Sequence, residues 1–296
     1  VTTSRMLAVA LAAVLGVAGC AKPGAAPSTG RTTPSGDARA ALLKSAEALK
    51  TGSYSFSRTG AYLSQDVQRG DVHLPDGVLL EHEQRAAMRV GDVVYLRYLL
   101  HGSAEMRDQY MKLYKQHGAT AAQLKDIEKI YALLDGKRWV RADAKELVAA
   151  AAIDEQSGLD YMAPLPKPGE YDVPGAGGLV TAVTTAARAG DTITGTLDAT
   201  KVDPDLNLLF SDPTHLYGPA AKTMSYQAVL DGQGRLTEFT VTMPGQLASE
   251  PAGGHEPEPP LVIKISGYGE TAAPTAPKDA PVLPPSAYEM LSRDVD

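Results

Sequence analysis

A single cysteine, Cys20, stands in a chain of 296 residues. No disulfide can staple such a chain from within, so its fold must be held by packing and hydrogen bonding. The cysteine also marks a boundary. Ahead of it, residues 6–17 are almost wholly Ala, Val, Leu and Gly, and Arg5 is the only charge before Lys22. A basic start followed by a short apolar run reads as a secretory signal. A lasting membrane span needs roughly 20 apolar residues, more than this run supplies.

The run ends in Val17-Ala18-Gly19-Cys20, which resembles the lipobox of bacterial lipoproteins. Small residues ahead of the cut admit a peptidase to an extended backbone, and the thiol accepts a diacylglycerol. An ordinary secretory signal with an incidental cysteine is the alternative; the placing of the one cysteine at this spot speaks against it. The expectation is therefore a signal peptide over 1–19, lipidation at Cys20, and attachment to the extracytoplasmic face of the cell membrane through diacylglyceryl Cys20. Two acyl chains, at about 0.8 kcal/mol per buried CH₂, hold a domain stably where one would be marginal. Residues 20–36 carry Pro23, Pro27 and Pro34 among Gly, Ser and Thr and read as a flexible tether.

Beyond the tether the pattern is that of an α+β domain over 37–296. Asp37 can cap a helix, and Tyr54 and Phe56 then alternate with serines in a half-buried strand. Further β segments fall at 70–80, 83–89 and 92–98, with tight-turn signals that suggest an antiparallel meander. Residues 101–134 are helical. Met106, Tyr110, Leu113 and Tyr114 share one face, Leu124, Ile127, Tyr131 and Leu134 another, with Gly118 between them. Strand returns at 137–142 and helix at 145–153. Residues 156–178 form a Gly- and Pro-rich connection, 179–188 read as helix, 191–197 as strand, and 206–210 as a helical turn. Segments 224–230 and 235–243, joined by Asp231-Gly232-Gln233-Gly234, make the clearest hairpin. Residues 244–260 form a proline-rich excursion, 261–266 a last strand, and 271–296 a tail expected to lie on the surface or fray. The sum is one strongly curved antiparallel sheet with helices packed against a single side.

Charge and motif exclude several chemistries. With 28 basic and 35 acidic residues the net charge is −7, which speaks against nucleic acid as a partner. No two of His73, His82, His101, His117, His215 and His255 have the i,i+4 spacing of a zinc helix. Strand alternation points His82 away from Glu81 and Glu83. Asp203-Pro204-Asp205-Leu206-Asn207 starts like a calcium loop but has Leu208 where glycine is needed and Thr214 where glutamate is needed. There is no GxSxG elbow. The chain is read as a non-enzyme, with no catalytic residues, no metal and no cofactor.

Several pieces, in order, resemble the LppX/LprAFG-like lipoproteins of actinobacteria, which share the fold of the periplasmic carrier LolA. They are Thr51-Gly52-Ser53-Tyr54-Ser55-Phe56, Gly91-Asp92-Val93-Val94-Tyr95-Leu96-Arg97, Gly136-Lys137-Arg138-Trp139-Val140-Arg141-Ala142-Asp143, Gly195-Thr196-Leu197-Asp198, Leu230-Asp231-Gly232-Gln233-Gly234-Arg235-Leu236 and Ile265-Ser266-Gly267-Tyr268-Gly269. The resemblance implies a half-barrel of about eleven strands, helices on its concave side, and an apolar cavity between them that takes a lipid or lipidated ligand. Residues 101–134 depart from the family pattern as a helical insertion, suited to cover such a cavity or to fill it.

Two functions follow as expectations. The first is an envelope lipoprotein that carries a lipid or other apolar molecule between curved sheet and helices. Its candidate lining is Tyr54, Phe56, Tyr95, Met106, Tyr110, Leu113, Leu124, Ile127, Tyr131, Phe239 and Ile263. The second is a non-enzymatic surface lipoprotein with a filled core, acting through protein–protein contact. In both the protein is expected to be a monomer.

Overall fold

A computed structural model describes residues 35–60, 68–82, 85–152, 172–206, 208–209, 212–246 and 258–293, all within the unit Thr32–Asp296. The expected signal peptide, Cys20 and nearly all of the tether lie outside the described residues, as do Glu83, Asn207 and most of the connection 156–178. No helix among the described residues is long and apolar enough to cross a membrane.

The elements, in chain order, are α1 (Ser35–Ala46), β1 (Ser53–Thr59), β2 (Arg69–His73), β3 (Gly77–His82), β4 (Arg85–Val90), β5 (Val93–Tyr98), α2 (Ala104–Gln116), α3 (Ala121–Leu133), β6 (Val140–Ala142), α4 (Ala144–Ala151), α5 (Ala176–Thr181), β7 (Val183–Ala189), β8 (Thr192–Leu197), α6 (Pro213–Tyr217), β9 (Met224–Leu230), β10 (Leu236–Val241), β11 (Leu261–Ser266) and α7 (Pro285–Leu291). The strands form one antiparallel sheet in the order β6-β5-β4-β3-β2-β1-β11-β10-β9-β8-β7. Local chemistry sets the hairpins. Between β9 and β10 the Asp231 carboxylate accepts from the Gln233 and Arg235 amides, each at 2.9 Å, and from Arg235 Nε at 2.7 Å.

Alternation along the strands sends Tyr54, Phe56, Val72, Val78, Leu80, Leu96, Phe239 and Ile263 to one face, where they are buried. Leu42 and Leu49 of the N-terminal helical segment, Ile130 of α3, Leu147 of α4, Leu179 of α5 and Leu291 of α7 complete a single continuous core with them. Each such side chain contributes roughly 1.5–3 kcal/mol of burial. Two strand glycines admit aromatic rings across the sheet. A Cβ on Gly70 would lie 2.6 Å from the Phe56 ring, and one on Gly195 3.1 Å from the Tyr226 ring. Tyr226 in turn stacks on Phe239 at 5.2 Å.

The strongly curved half-barrel expected from the sequence is not what forms. The sheet is open, with β6 and β7 as its edges, and it is neither closed nor strongly curled. Tight curling needs bulges or glycine kinks repeated across the sheet. Here the described ladders from β6 to β11 run without a register break. Shifts fall only at Leu236/Glu238 and Val183/Thr185, and Gly70 and Gly195 are packed under rings.

Nor do helices simply line a concave side. The tail, expected to lie on the surface or fray, straps the opposite face and one edge. Thr271 meets Ser55 Oγ at 3.1 Å and His73 Nδ1 at 2.8 Å. Farther on, the Arg141 amide donates to Pro281 O at 2.8 Å, and Arg141 O accepts from the Leu283 amide at 2.9 Å. This parallel bridge protects the β6 edge, which would otherwise present unpaired backbone groups. At the other edge Arg39 Nε donates to Val183 O at 3.2 Å. Segment 179–188, read as helix, divides instead into the end of α5 and β7.

Candidate functional site

The helical insertion is built from strong local signals. Ser103 caps α2 by accepting from the Met106 amide at 3.2 Å. Thr120 and Gln123 form a capping box at the start of α3. Arg107 reaches from α2 to the far end of α3. Its guanidinium donates to the carbonyl oxygens of Leu100 (3.0 Å), Tyr131 (3.3 Å) and Leu134 and lies over the Tyr131 ring at 5.2 Å. The last carbonyls of a helix lack partners within it, so this side chain both satisfies and charge-complements the α3 terminus.

His101 sits at the base of the same hairpin with φ +59°, a left-handed backbone that a non-glycine residue adopts only at a cost. Its ring stacks on Tyr110 with centroids 3.7 Å apart, and its Nδ1 lies 2.8 Å from the Tyr131 hydroxyl. Tyr114 follows at 6.4 Å from Tyr110. Arg107, Tyr131, His101, Tyr110 and Tyr114 thus run as a guanidinium and a ladder of rings from the hairpin base to its surface.

Against this ladder lies an open cleft of about 530 Å³. From α2 it is lined by Tyr110, Leu113 and Tyr114, and from α3 by Gln123, Asp126, Ile127 and Ile130. Its third wall is α7, which presents Ser286, Glu289, Met290 and, just beyond, Arg293. That helix is fixed from behind: its Tyr288 hydroxyl accepts from the Asp143 amide at 2.7 Å, and Leu291 is in the core. The rim is balanced in charge, with Asp126 paired to Lys129 at 2.8 Å and Glu289 to Arg293 at 2.9 Å. No residue of α2 is buried; Met106 is 42% and Leu113 44% exposed.

The residues expected to line a cavity divide into groups. Tyr54, Phe56, Phe239 and Ile263 fill the core between sheet and helices. Tyr54 donates its hydroxyl to Leu49 O at 2.7 Å, and burial drives its phenol well above the ordinary tyrosine range. The Tyr226 phenol, also on the core face, is pushed up to about 12 by burial. Tyr95 is buried opposite Met88, on the other face from Leu96. Tyr131 is buried in the core at the hairpin base, Leu124 is half-buried, and Met106 is exposed. Tyr110, Leu113 and Ile127 are the members of the set that meet in the outer cleft.

The carrier function rested on a cavity beneath a curved sheet, and that reading is overturned. Core side chains close the space between sheet and helices, and the half-barrel that would have enclosed a ligand is not present. The α7 wall escapes sequence reasoning because a run of prolines resembles a fraying tail. Pro284 and Pro285 in fact occupy the cap and first-turn positions of a short helix, and Ala287, Tyr288 and Leu291 have helical apolar spacing.

Among the described residues no group of His, Asp, Glu or Cys is placed to hold a metal. Of the calcium-like segment, Asp203 and Pro204 border a smaller opening of about 210 Å³ with Val202 and Leu209. One other carboxylate is unusual. Asp172 is only 6% exposed and accepts from the Gly177 amide at 2.9 Å at the start of α5. Its second oxygen has no hydrogen-bond partner among the described residues, and burial pushes its carboxyl above the usual range.

Fold and cleft together define an α+β module on an open antiparallel sheet, with a filled core and a ligand-sized opening on its outer helices. No protein-family model matches the chain, and no curated protein matches it.

Proposed function

We propose that the protein is a lipid-anchored, non-enzymatic, monomeric binding module of the extracytoplasmic membrane face, engaging its ligand through the outer cleft of α2, α3 and α7. The observation that carries this reading is the cleft itself. Its volume lies within the ~300–1,000 Å³ range of small-molecule sites, and Leu113 stays exposed on it and Ile127 and Met290 half-buried although the core beneath is complete. The anchor is supported by Val17-Ala18-Gly19-Cys20. The likeness to LppX/LprAFG-like lipoproteins enters only through that motif and the order of the strand pieces, without their ligand cavity.

Methionine oxidation tests occupancy whatever the chemical identity of the ligand. Met290 lines the cleft, whereas Met106 is exposed on α2 and serves as the reference. Peroxide converts an accessible thioether to the sulfoxide. In intact cells Met290 should oxidise more slowly relative to Met106 than in the purified chain. An identical ratio in the two settings would count against an occupied cleft.

A further inference from the structure

The wall chemistry narrows the class of occupant, given the reading of this cleft as the binding face. One side is aromatic: Tyr110 is held by His101, which stacks on it at 3.7 Å and also borders the cleft, Tyr114 lies beside it at a tilt of 35°, and Leu113 extends the surface, with Met290 facing it from α7. The rim supplies both hydrogen-bond senses. Asp126 and Glu289 accept, Arg293 donates, Gln123 donates through its NH2 while Thr120 holds its oxygen, and Ser286 does both.

Three ligand classes fit poorly. An acyl chain would leave the hydrogen-bonding groups of the exposed rim, Asp126, Glu289 and Arg293, unused, and it gains nothing from their placement around the opening. An inorganic ion would meet a rim already balanced by two ion pairs. An organic cation would have to compete with Lys129 and Arg293 for the same two carboxylates. What remains complementary is a neutral molecule with one apolar face and several hydroxyls around its edge. A sugar ring has this form: its C–H face lies on an aromatic plane while each hydroxyl both donates and accepts.

We propose that the α2/α3/α7 cleft binds a neutral saccharide, with Tyr110 and Tyr114 as the stacking wall and Asp126, Glu289 and Arg293 as the hydroxyl-reading rim. The test uses the full chain produced without acylation, applied to an array of short neutral oligosaccharides of hexose, N-acetylhexosamine and pentose units and, in parallel, to a peptide array. Hits are titrated by calorimetry against wild type, Tyr114→Ala, Glu289→Ala and, as a control on the solvent face of β11, Lys264→Ala. Oligosaccharide binding that weakens at least about tenfold in the two cleft variants, with the melting temperature and the control unchanged, is the expected result. Absence of any oligosaccharide hit, or binding indifferent to both cleft variants, overturns the saccharide assignment. Peptide binding lost in the same variants overturns it too, but leaves the outer cleft as the binding face. Should no probe on either array depend on the cleft residues, the binding-face reading falls with it.

Discussion

Arg107 is the side chain on which the helical hairpin most depends, and its removal has a calculable effect. Arg107→Ala strips donors from the carbonyls of Leu100, Tyr131 and Leu134 and a cation from the Tyr131 ring. Hydrogen bonds to a charged group contribute about 1.5–3 kcal/mol each when well buried. Arg107 is only half-buried, and water can reach the freed carbonyls, so about 1 kcal/mol per bond is the appropriate scale. Leu134 O keeps the Leu100 amide at 3.1 Å and so loses about half as much as the other two; with roughly 0.5 kcal/mol for the ring contact, the loss comes to about 3 kcal/mol. In a domain of this size each kcal/mol moves the melting temperature by about 2–4 °C. A global transition should therefore fall by about 6–12 °C. If the hairpin opens separately, its amides should instead lose about a hundredfold in exchange protection, concentrated at the end of α3. Arg107→Lys keeps the charge but not the planar fork, and should recover only part of the loss. Calorimetry together with hydrogen–deuterium exchange separates the two modes. A melting temperature within a degree of wild type, with unchanged exchange at Leu133 and Leu134, would refute the role given to the guanidinium.

Other perturbations probe the remaining claims. Phe239→Ala should cost about 3–5 kcal/mol by chemical denaturation, as truncation in a filled core does; a loss below about 1 kcal/mol would mean that the ring borders empty space. Gly70→Ala should destabilise by about 1–3 kcal/mol, because its Cβ would lie 2.6 Å from both the Leu79 carbonyl oxygen and the Phe56 ring, and an unchanged urea midpoint would contradict that packing. Asp172 has a folded pKa raised above its unfolded value by burial, so the folded state holds the proton more tightly. Its stabilising contribution is complete below the unfolded carboxylate pKa of about 3.9 and is lost as pH rises through the folded value. The Asp172→Asn variant, which keeps an oxygen acceptor for the Gly177 amide, should lack that decline in thermal melts across pH; parallel curves for the two proteins would show that the carboxyl does not titrate in this way.

The strands that can be read from the sequence are those whose two faces differ. In 224–230 and 261–266, buried Met, Tyr, Leu and Ile alternate with Ser, Gln and Lys. The Asp231 turn between β9 and β10 is legible because its carboxylate has a defined set of local amides to accept from. β7 is not legible, since alanine at 186, 187 and 189 gives no contrast between faces. The buried Leu179 and Val180 of α5, directly ahead of it, extend a helical pattern into the strand. Curvature is beyond reach for a different reason: alternation states which face of a strand is apolar, while the bend of the sheet is decided by register and by the volumes that meet across it. Phe56 over Gly70 and Tyr226 over Gly195 are such meetings.

The cleft shows the same limit more sharply. Helical spacing identifies Tyr110, Leu113 and Tyr114 as one face and Ile127 and Tyr131 as another, and periodicity alone would lay both faces on the sheet. In the fold only α3 turns part of its face inward, burying Ile130 and Tyr131. α2 is tied at its base by Arg107 and His101, has no fully buried residue, and sends only Met111, half-buried, against the core. Its apolar face therefore meets no sheet; it looks across an opening toward α7, a helix drawn from the far end of the chain and anchored by Leu291 and Tyr288. Periodicity records that a face avoids water. Whether the molecule covers that face or leaves it for something else depends on where distant segments are anchored, and here three anchors, at Arg107, His101 and Tyr288, leave it open.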